Sequence, residues 1–322
     1  MYAVPNTPHA ISREQLLDQL EVLRKRAIRP EEGLYGPGSM SWEIGKHSVT
    51  FMGAGRAALL QLAHPWVANA ITQHSKTVSD PFGRFRRTFT NVFTMTFGSV
   101  DQLLDCCIAV HNIHSTMFGK IATEAGAHGA GSAYQANEVN AMLWVHATLW
   151  DTSVRMYEMF VRPLSMEEKE RYYQETKLFA FCFGIPEAAL PETWGDFLAY
   201  NEAMWNSDQL AVGPEALEIA SFLFNFHPLA RPAMKPFEVF TGMVMPERLR
   251  EAFLLPAPTD KNLASFDRMV KVIRRVHPLL PRRLQYLPPY VEARRRLRGL
   301  HEPDMVTSLM TRAMLGTPKL VS

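Results

Sequence analysis

The sequence predicts an all-α protein organised as a single large helical domain. Long stretches repeat apolar residues at three- and four-residue spacing, which is the period of an amphipathic helix. Sustained alternation of apolar and polar residues, the pattern typical of a strand, is rare. With 322 residues, of which 47% are hydrophobic, the chain is long enough to bury a sizeable core.

The first helix is expected to begin at Ser12, a good N-cap residue, and to run to about Ile28, where Pro30 stops it. The same periodicity predicts further helices over residues 56–63, 66–74, 83–97, 100–118, 138–160, 165–183, 194–206 and 214–224. Beyond residue 224 the helical signals become shorter and are broken by prolines.

Two glycine-rich segments interrupt these helices. Residues 31–40 are rich in Gly and Pro and are predicted to be a flexible link or lid, and residues 126–131 are predicted to be a mobile turn between two strong helices. We therefore expect an N-terminal helix and loop (1–52) that pack on a helical core (53–225), followed by a helical extension (226–322).

Composition excludes several classes of partner. The formal net charge is only +2, and the 34 basic and 32 acidic residues are well mixed, so we expect no nucleic-acid binding. Only residues 282–298 are locally basic, and we expect them to form solvated surface. No run approaches the roughly 20 apolar residues of a membrane span, and no export signal begins the chain. Three cysteines cannot build a disulfide framework, and we expect a cytoplasmic protein.

Spacing rules exclude most metal and cofactor motifs. The chain has no Glu-x-x-His of a di-iron bundle, no Cys-x-x-Cys-His, no His-Glu-x-x-His, no Gly-x-Ser-x-Gly and no Walker sequence. Gly53-Ala54-Gly55 lacks the third glycine of a dinucleotide loop and is expected to be a tight turn that lets two helices approach. Cys107, His111 and His114 could chelate zinc, but no fourth ligand is indicated.

The helix predicted over residues 100–118 carries a histidine on an apolar face. Positions 103, 107, 110, 114 and 117 fall along one stripe and are Leu, Cys, Val, His and Met. His111 lies about 60° around the helix from His114. A neutral imidazole in a dry, apolar pocket is a good axial ligand to heme iron, because burial keeps its lone pair free. The alternative is a hydrogen-bonded core histidine, and His111 is the second candidate for the ligand.

The preceding helix carries a cationic face. Arg84, Arg87 and Thr88 stand at i, i+3 and i+4, while Phe85 and Phe89, with Val92, make an apolar face. Two guanidinium groups and a hydroxyl could bind the carboxylates of a cofactor or polarise dioxygen. The alternative is an ordinary solvated basic face, with Asp80 as the helix cap.

These residues belong to a series of patches that together resemble the MpaB-type oxygenases, a family that includes the rubber oxygenases. The resemblance covers about Gly53 to Trp205. The patches are, in order, Gln61-Leu62-Ala63-His64-Pro65, His74-Ser75, Asp80-Pro81-Phe82-Gly83-Arg84 with Arg87-Thr88, Phe97-Gly98, His114 five residues before Gly119, Leu143-Trp144-Val145-His146-Ala147-Thr148-Leu149, and Gly184-Ile185-Pro186 leading to Leu190-Pro191.

The resemblance implies an all-helical fold with a globin-like core around heme b. It implies that His114 is the axial ligand of the iron and that Arg84 and Thr88 line the heme pocket. Arg87 stands where rubber oxygenases have a lysine, a change that keeps the charge but not the shape or the capacity for proton transfer. Residues 54–79 contain no glutamate, although the rubber oxygenases use a distal glutamate base upstream of the arginine. This difference argues against isoprenoid cleavage by their mechanism.

The sequence thus predicts a heme b-dependent oxygenase that acts with dioxygen on a hydrophobic small molecule, by oxygenation or oxidative cleavage of an alkene, with a possible electron donor. Arg84, Arg87 and Thr88 are the predicted catalytic residues, with His74 or His64 as the distal proton donor. His146 could serve packing or the pocket. Two alternatives remain, a heme-binding sensor or storage protein without turnover and a helical scaffold without heme. An absorption spectrum would test for the cofactor.

Overall fold

The computed structural model of the protein describes residues 9–27, 29–74, 81–225 and 231–321, with only the backbone of Pro81 and Phe82. Within these ranges the chain forms sixteen α-helices and one antiparallel sheet of two short strands, which confirms the all-α prediction. The elements up to the middle of the chain are α1 (Arg13–Arg26), α2 (Met40–Gly45), α3 (Ala54–Leu62), α4 (Pro65–His74), α5 (Pro81–Phe97), α6 (Val100–Ser115), β1 (Phe118–Lys120), β2 (Ala133–Gln135) and α7 (Val139–Phe160). The remaining elements are α8 (Met166–Phe181), α9 (Trp194–Asn206), α10 (Pro214–Asn225), α11 (Arg231–Val244), α12 (Glu247–Ala252), α13 (Asp260–Val276), α14 (Arg282–Gln285), α15 (Pro288–Arg296) and α16 (Met305–Leu315).

Short polar motifs fix where several helices begin. Ser12 caps α1 as predicted, and its side chain forms a reciprocal capping box with Gln15. The same box starts α6, α8 and α9, at Ser99, Ser165 and Thr193. Helix α1 ends at Arg26, shortly before the predicted end, and Ile28 itself lies outside the described residues.

Helices α5 and α6 pack against each other as a hairpin around Gly98 and Ser99. The Cys106 Sγ approaches the Asn91 side-chain oxygen at 3.6 Å, which fixes the register of the two helices. Arg84 near the start of α5 and His114 near the end of α6 are each roughly 20 Å from the turn, at 1.5 Å of rise per residue. The two residues therefore lie at the same end of the hairpin, the end opposite its turn, which we call the open end.

The prediction that α6 continues to residue 118 is wrong, because the helix ends at Ser115 and a strand follows. β1 pairs with β2 in antiparallel register, with Gly119 opposite Tyr134. The glycine-rich segment that was predicted to be a mobile turn belongs to the connection of this hairpin. The backbone N–H of Ala127 donates to the Asp208 carbonyl oxygen over 2.9 Å, which ties the connection to the residues after α9.

Helix α7 is the central helix of the core and packs against α3, α8 and α13. Its Trp144 is fully buried and donates its indole N–H to the Leu60 carbonyl oxygen over 2.7 Å. A side chain at Gly53 would overlap Thr152 and Met156 of α7. The predicted close approach of helices at this glycine is therefore confirmed.

The C-terminal part of the chain is more helical than the sequence pattern indicates. Although prolines break the helical signals here, α13 is a 17-residue helix with Thr259 as its N-cap, and α11 continues through Pro236. The basic segment is also more than solvated surface. Arg296 on α15 donates to the Phe97 carbonyl oxygen over 2.7 Å and to the Glu31 carbonyl oxygen over 3.0 Å.

Across the described ranges, no helix combines the length and the apolar character that spanning a membrane requires.

Candidate functional site

His114 occupies the last turn of α6 at the open end of the α5–α6 hairpin. The residue is half-buried, and its Nδ1 atom is sealed from solvent with no hydrogen-bond partner among the residues that the structure describes. Its ring is stacked with that of Phe183, at 6.5 Å between centroids and 27° between planes. Burial and the neighbouring His111 lower the pKa of His114 to about 4, so the imidazole is neutral near pH 7 with a free lone pair.

The first three positions of the stripe predicted on α6 are buried as expected, whereas Met117, its last position, lies beyond the end of the helix. Leu103, Cys107 and Val110 all lie in the core, and His114 continues their line at the end of the helix. His111 lies deeper, and within the described part of the chain its buried Nδ1 also has no hydrogen-bond partner. Burial, and to a smaller extent Arg13, lowers the pKa of His111. Both imidazoles are thus able to act as neutral nitrogen donors.

Asn137 is a site residue that the sequence analysis missed. Its amide nitrogen donates to the Ser115 hydroxyl over 3.0 Å and to the His111 carbonyl oxygen over 3.4 Å. Its side chain also lies beside the His114 ring, where it partly offsets the lowering of the histidine pKa. Asn137 follows β2, so only the pairing of the two strands brings it back onto α6. No local sequence pattern marks this contact.

The residues of the cationic face of α5 differ in their exposure to solvent. Arg84 is half-buried, whereas Arg87 and Thr88 are exposed. Burial and the positive charge of Arg87 lower the pKa of Arg84 to about 10, which leaves it charged at neutral pH. An anion placed between the two guanidinium groups would relieve their repulsion. Asp80, the predicted cap, lies outside the described residues.

The apolar face of α5 is an aromatic ladder. Phe85, Phe89, Phe93 and Phe97 follow one another at four-residue spacing, with centroid separations of 4.4, 5.7 and 6.2 Å. The predicted face of Phe85 and Phe89 is confirmed, and it continues through Phe93 and Phe97 toward the turn of the hairpin.

The other candidate histidines occupy three different environments. His74 is exposed, and its Nε2 lies 3.0 Å from the Phe118 carbonyl oxygen. His64 is buried next to His128, at 5.2 Å between ring centroids, and burial lowers its pKa to about 3. His146 packs in the core with its Nε2 2.9 Å from the Thr176 carbonyl oxygen.

Over the part of the chain that the structure describes, no three His, Cys, Asp or Glu side chains are arranged to hold a metal ion. Burial, and to a smaller extent the neighbouring Cys182, raises the pKa of the Cys107 thiol well above the ordinary range.

The matching family model is described as "ER-bound oxygenase mpaB/B'/Rubber oxygenase, catalytic domain", and it covers residues 42–275. The helical fold and this match define an oxygenase catalytic domain, the class of enzyme that takes dioxygen and an organic substrate. The chain belongs to the MpaB and rubber oxygenase family.

Two mycobacterial proteins are similar to the chain. They are uncharacterized protein Rv2237 of Mycobacterium tuberculosis and uncharacterized protein Mb2261 of Mycobacterium bovis, each 25% identical over 236 residues. Each alignment covers 70% of this chain and 88% of the relative. No solved structure gives a significant match.

Proposed function

We propose that this chain is a heme b-dependent oxygenase that uses dioxygen to oxygenate or oxidatively cleave an alkene in a hydrophobic small molecule. The observation that carries the proposal is the His114 imidazole, which is neutral near pH 7 and whose buried Nδ1 has no hydrogen-bond partner among the described residues. Membership of the oxygenase family supports the reaction class.

The residues at the open end of the hairpin fit a heme. An axial ligand must offer a nitrogen lone pair, and a neutral, half-buried imidazole such as His114 offers one. The propionate carboxylates need cationic partners, and Arg84, at the same end of the hairpin, stays charged at neutral pH. Thr88 stands one helical turn after Arg84 and would add a hydroxyl donor. His111 is the alternative ligand, one turn deeper on α6.

Heme, when bound, would supply the redox-active iron that activates dioxygen. Arg87 would donate hydrogen bonds to negative charge that develops on oxygen, and it keeps its own proton while doing so. We assign proton donation to His74, which is accessible to solvent. His64 is a poor donor, because a pKa of about 3 leaves it unprotonated near neutral pH.

Apolar surface near His114 supports a hydrophobic substrate. Ile113 and Phe118 flank the end of α6, and both are more than half exposed. Phe85 is partly exposed on the facing helix. A hydrophobic substrate bound here would remove these apolar side chains from water, which would stabilise the complex. The other partners in the proposal are dioxygen and an electron donor. We place the protein in the cytoplasm, because its three cysteines are free thiols.

The test is heme titration of the full chain, followed by absorption spectroscopy. We expect a Soret band that His114→Ala loses and that the matched variant His111→Ala, on the same helix, retains. A wild-type spectrum in His114→Ala, with loss in His111→Ala, would make His111 the ligand. No heme binding by the wild-type chain would contradict the proposal.

Turnover is the second part of the test. The heme-loaded protein is supplied with dioxygen, a reductant and a panel of small alkenes. Oxygenated or carbonyl products support an oxygenase. A stable oxygen complex without any product would contradict the proposed turnover.

A further inference from the structure

A second candidate site lies at the opposite end of the α5–α6 hairpin from His114. A cavity of about 270 Å³ opens there between α2, the connection from α7 to α8, and α15. Trp42 lines it, and this indole packs against Phe97 at the turn end of α5, with 5.8 Å between centroids. Since His114 is roughly 20 Å from that turn, the cavity is separate from the proposed heme site.

Three cations from three different elements converge on this cavity. Lys46 follows the end of α2, Arg162 lies in the connection between α7 and α8, and Arg294 is in the last turn of α15. Two segments that stand out in the sequence meet at this cavity. Its rim includes residues 37–39 of the Gly- and Pro-rich loop and Arg294 of the basic segment. Bringing three like charges together is unfavourable unless anions balance them.

Carboxylates already present balance two of the three charges. Glu43 lines the cavity and forms an ion pair with Lys46. The neighbouring His47, whose Nε2 is 3.8 Å from the Glu43 carboxylate, and Lys46 lower the pKa of Glu43 to about 2, so this carboxylate is charged at neutral pH. Arg162 makes a two-pronged pair with Glu168, at 3.0 and 2.7 Å.

Arg294 is the third cation at the cavity. It is half-buried, and among the residues that the structure describes it has no hydrogen bond and no ion pair. Its neighbours behave differently, because Arg295 pairs with Asp304 and Arg296 donates to backbone carbonyl oxygens. A partly desolvated guanidinium at a cavity favours an anionic ligand, which it can bind through two parallel N–H donors.

We propose that this cavity binds a small anionic molecule through a carboxylate or a phosphate, with Arg294 as the main charged contact and Lys46 and Arg162 beside it. The volume lies just below the range of roughly 300–1,000 Å³ that is usual for ligand pockets, so the ligand is small. Tyr290, whose ring lines the cavity edge-on to Trp42 at 5.7 Å, gives it one apolar wall. The site does not depend on heme.

The test is isothermal titration calorimetry of the full chain, with inorganic phosphate and with benzoate as probes. We expect millimolar or tighter binding of at least one probe, weakened at least tenfold in Arg294→Gln. The matched control is Arg298→Gln, because Arg298 is exposed and lies outside the cavity. Binding of phosphate alone assigns a phosphate-bearing ligand, and binding of benzoate alone assigns a carboxylate.

Two further variants keep the proposal falsifiable if Arg294→Gln does not fold. Arg294→Lys keeps the charge and is expected to keep binding, although more weakly. Glu43→Gln removes the negative charge from the cavity and is expected to tighten binding. The proposal is overturned if neither probe binds the wild-type chain, or if Arg298→Gln weakens binding as much as Arg294→Gln does. These measurements involve no turnover, so their failure would leave the oxygenase proposal intact.

Discussion

The Asn137 side chain donates a hydrogen bond of 3.0 Å to the Ser115 hydroxyl and so holds the last turn of α6 from outside the helix. Asn137 is almost fully buried, and the same amide reaches the His111 carbonyl oxygen. Because its side chain also lies beside the His114 ring and affects the pKa of that ring, it is placed to orient the imidazole that we propose as a heme ligand. Groups that orient a ligand in this way affect metal affinity without touching the metal.

Asn137→Ala is therefore expected to weaken heme binding by about tenfold or more. It is also expected to lower the free energy of unfolding by about 1–3 kcal/mol, because buried partners lose a hydrogen bond. Heme titration and urea unfolding measure the two effects. Ser115→Ala is the control, since it removes one partner of Asn137 but leaves the contact with His114, and its effect on heme affinity should be smaller. Equal affinity in Asn137→Ala and the wild type would show that Asn137 does not orient the ligand.

The boundaries of α6 show what the sequence could predict. Its start follows from a local signal, because Ser99 and Gln102 form a capping box within four residues. Its buried stripe follows from periodicity, and both predictions are confirmed. Its end at Ser115 does not follow, because Phe118–Lys120 leaves the helical pattern to pair with a strand thirteen or more residues away. Pairing of this kind is set by tertiary contacts rather than by local propensity.

The same distinction applies to the candidate site. His114 and Arg84 could be proposed from sequence, because each lies on a helix whose faces are defined by its own residues. Asn137 and Phe183 could not, because they approach His114 from other elements. The cationic cavity was equally hidden, since its three cations are separated by more than a hundred residues along the chain. Sequence periodicity reports on faces of single helices and not on which elements meet.

A buried ion pair is expected to be the most sensitive polar contact of the core. Arg56 on α3 and Asp151 on α7 are 2.7 Å apart and are 1% and 2% exposed. Arg56 also donates to Thr152 Oγ1 over 2.7 Å and to the Val244 carbonyl oxygen over 2.8 Å, so it links α3, α7 and α11. Arg56→Leu is expected to cost about 3–5 kcal/mol, because it leaves these buried acceptors without their donor.

The control for this prediction is Arg155→Ala. Arg155 contacts the same Asp151 at 2.9 Å but is 45% exposed, so its removal is expected to cost less than about 1 kcal/mol. Urea unfolding of both variants gives the comparison. A larger loss in Arg155→Ala than in Arg56→Leu would contradict the assignment of the pair to the core.

Alanine substitutions at two glycines of the loop before α2 distinguish the cost of steric overlap from the cost of backbone strain. Gly33 has φ 71° and ψ −148°, and a side chain there would overlap the Gly98 carbonyl oxygen at the turn of the α5–α6 hairpin. Gly38 has φ +87° but open space around it. Alanine at Gly38 is expected to cost about 1–3 kcal/mol from strain alone. Gly33→Ala should cost clearly more, and thermal unfolding of the two variants measures the difference. Equal losses would show that the loop shifts away from the hairpin turn.

Acid is expected to destabilise the fold through buried histidines, beginning below about pH 6.5. His64 and His146 are buried, and burial lowers their pKa values to about 3 and about 4. As the pH falls below 6.5, the unfolded chain binds protons at these rings while the folded chain does not, so protonation favours unfolding. From pH 7 to pH 5 each ring is expected to remove about 2 kcal/mol from the free energy of unfolding. Glu138 and Glu292, whose pKa values burial raises, act in the opposite direction and reduce the net effect.

His146→Gln isolates one contribution. Glutamine can still donate to the Thr176 carbonyl oxygen, which His146 Nε2 approaches at 2.9 Å, but it has no proton to gain in this range. The difference in unfolding free energy between pH 7 and pH 5 should therefore shrink by about 2 kcal/mol. Any stability that the variant loses equally at both pH values cancels in this difference. Urea unfolding at the two pH values measures it, with exposed His301→Gln as a control that leaves the difference unchanged. If the unfolding free energy of His146→Gln changes between pH 7 and pH 5 as much as that of the wild type, the prediction is contradicted. His146 would then take up its proton in the folded protein, with its ring reached by water.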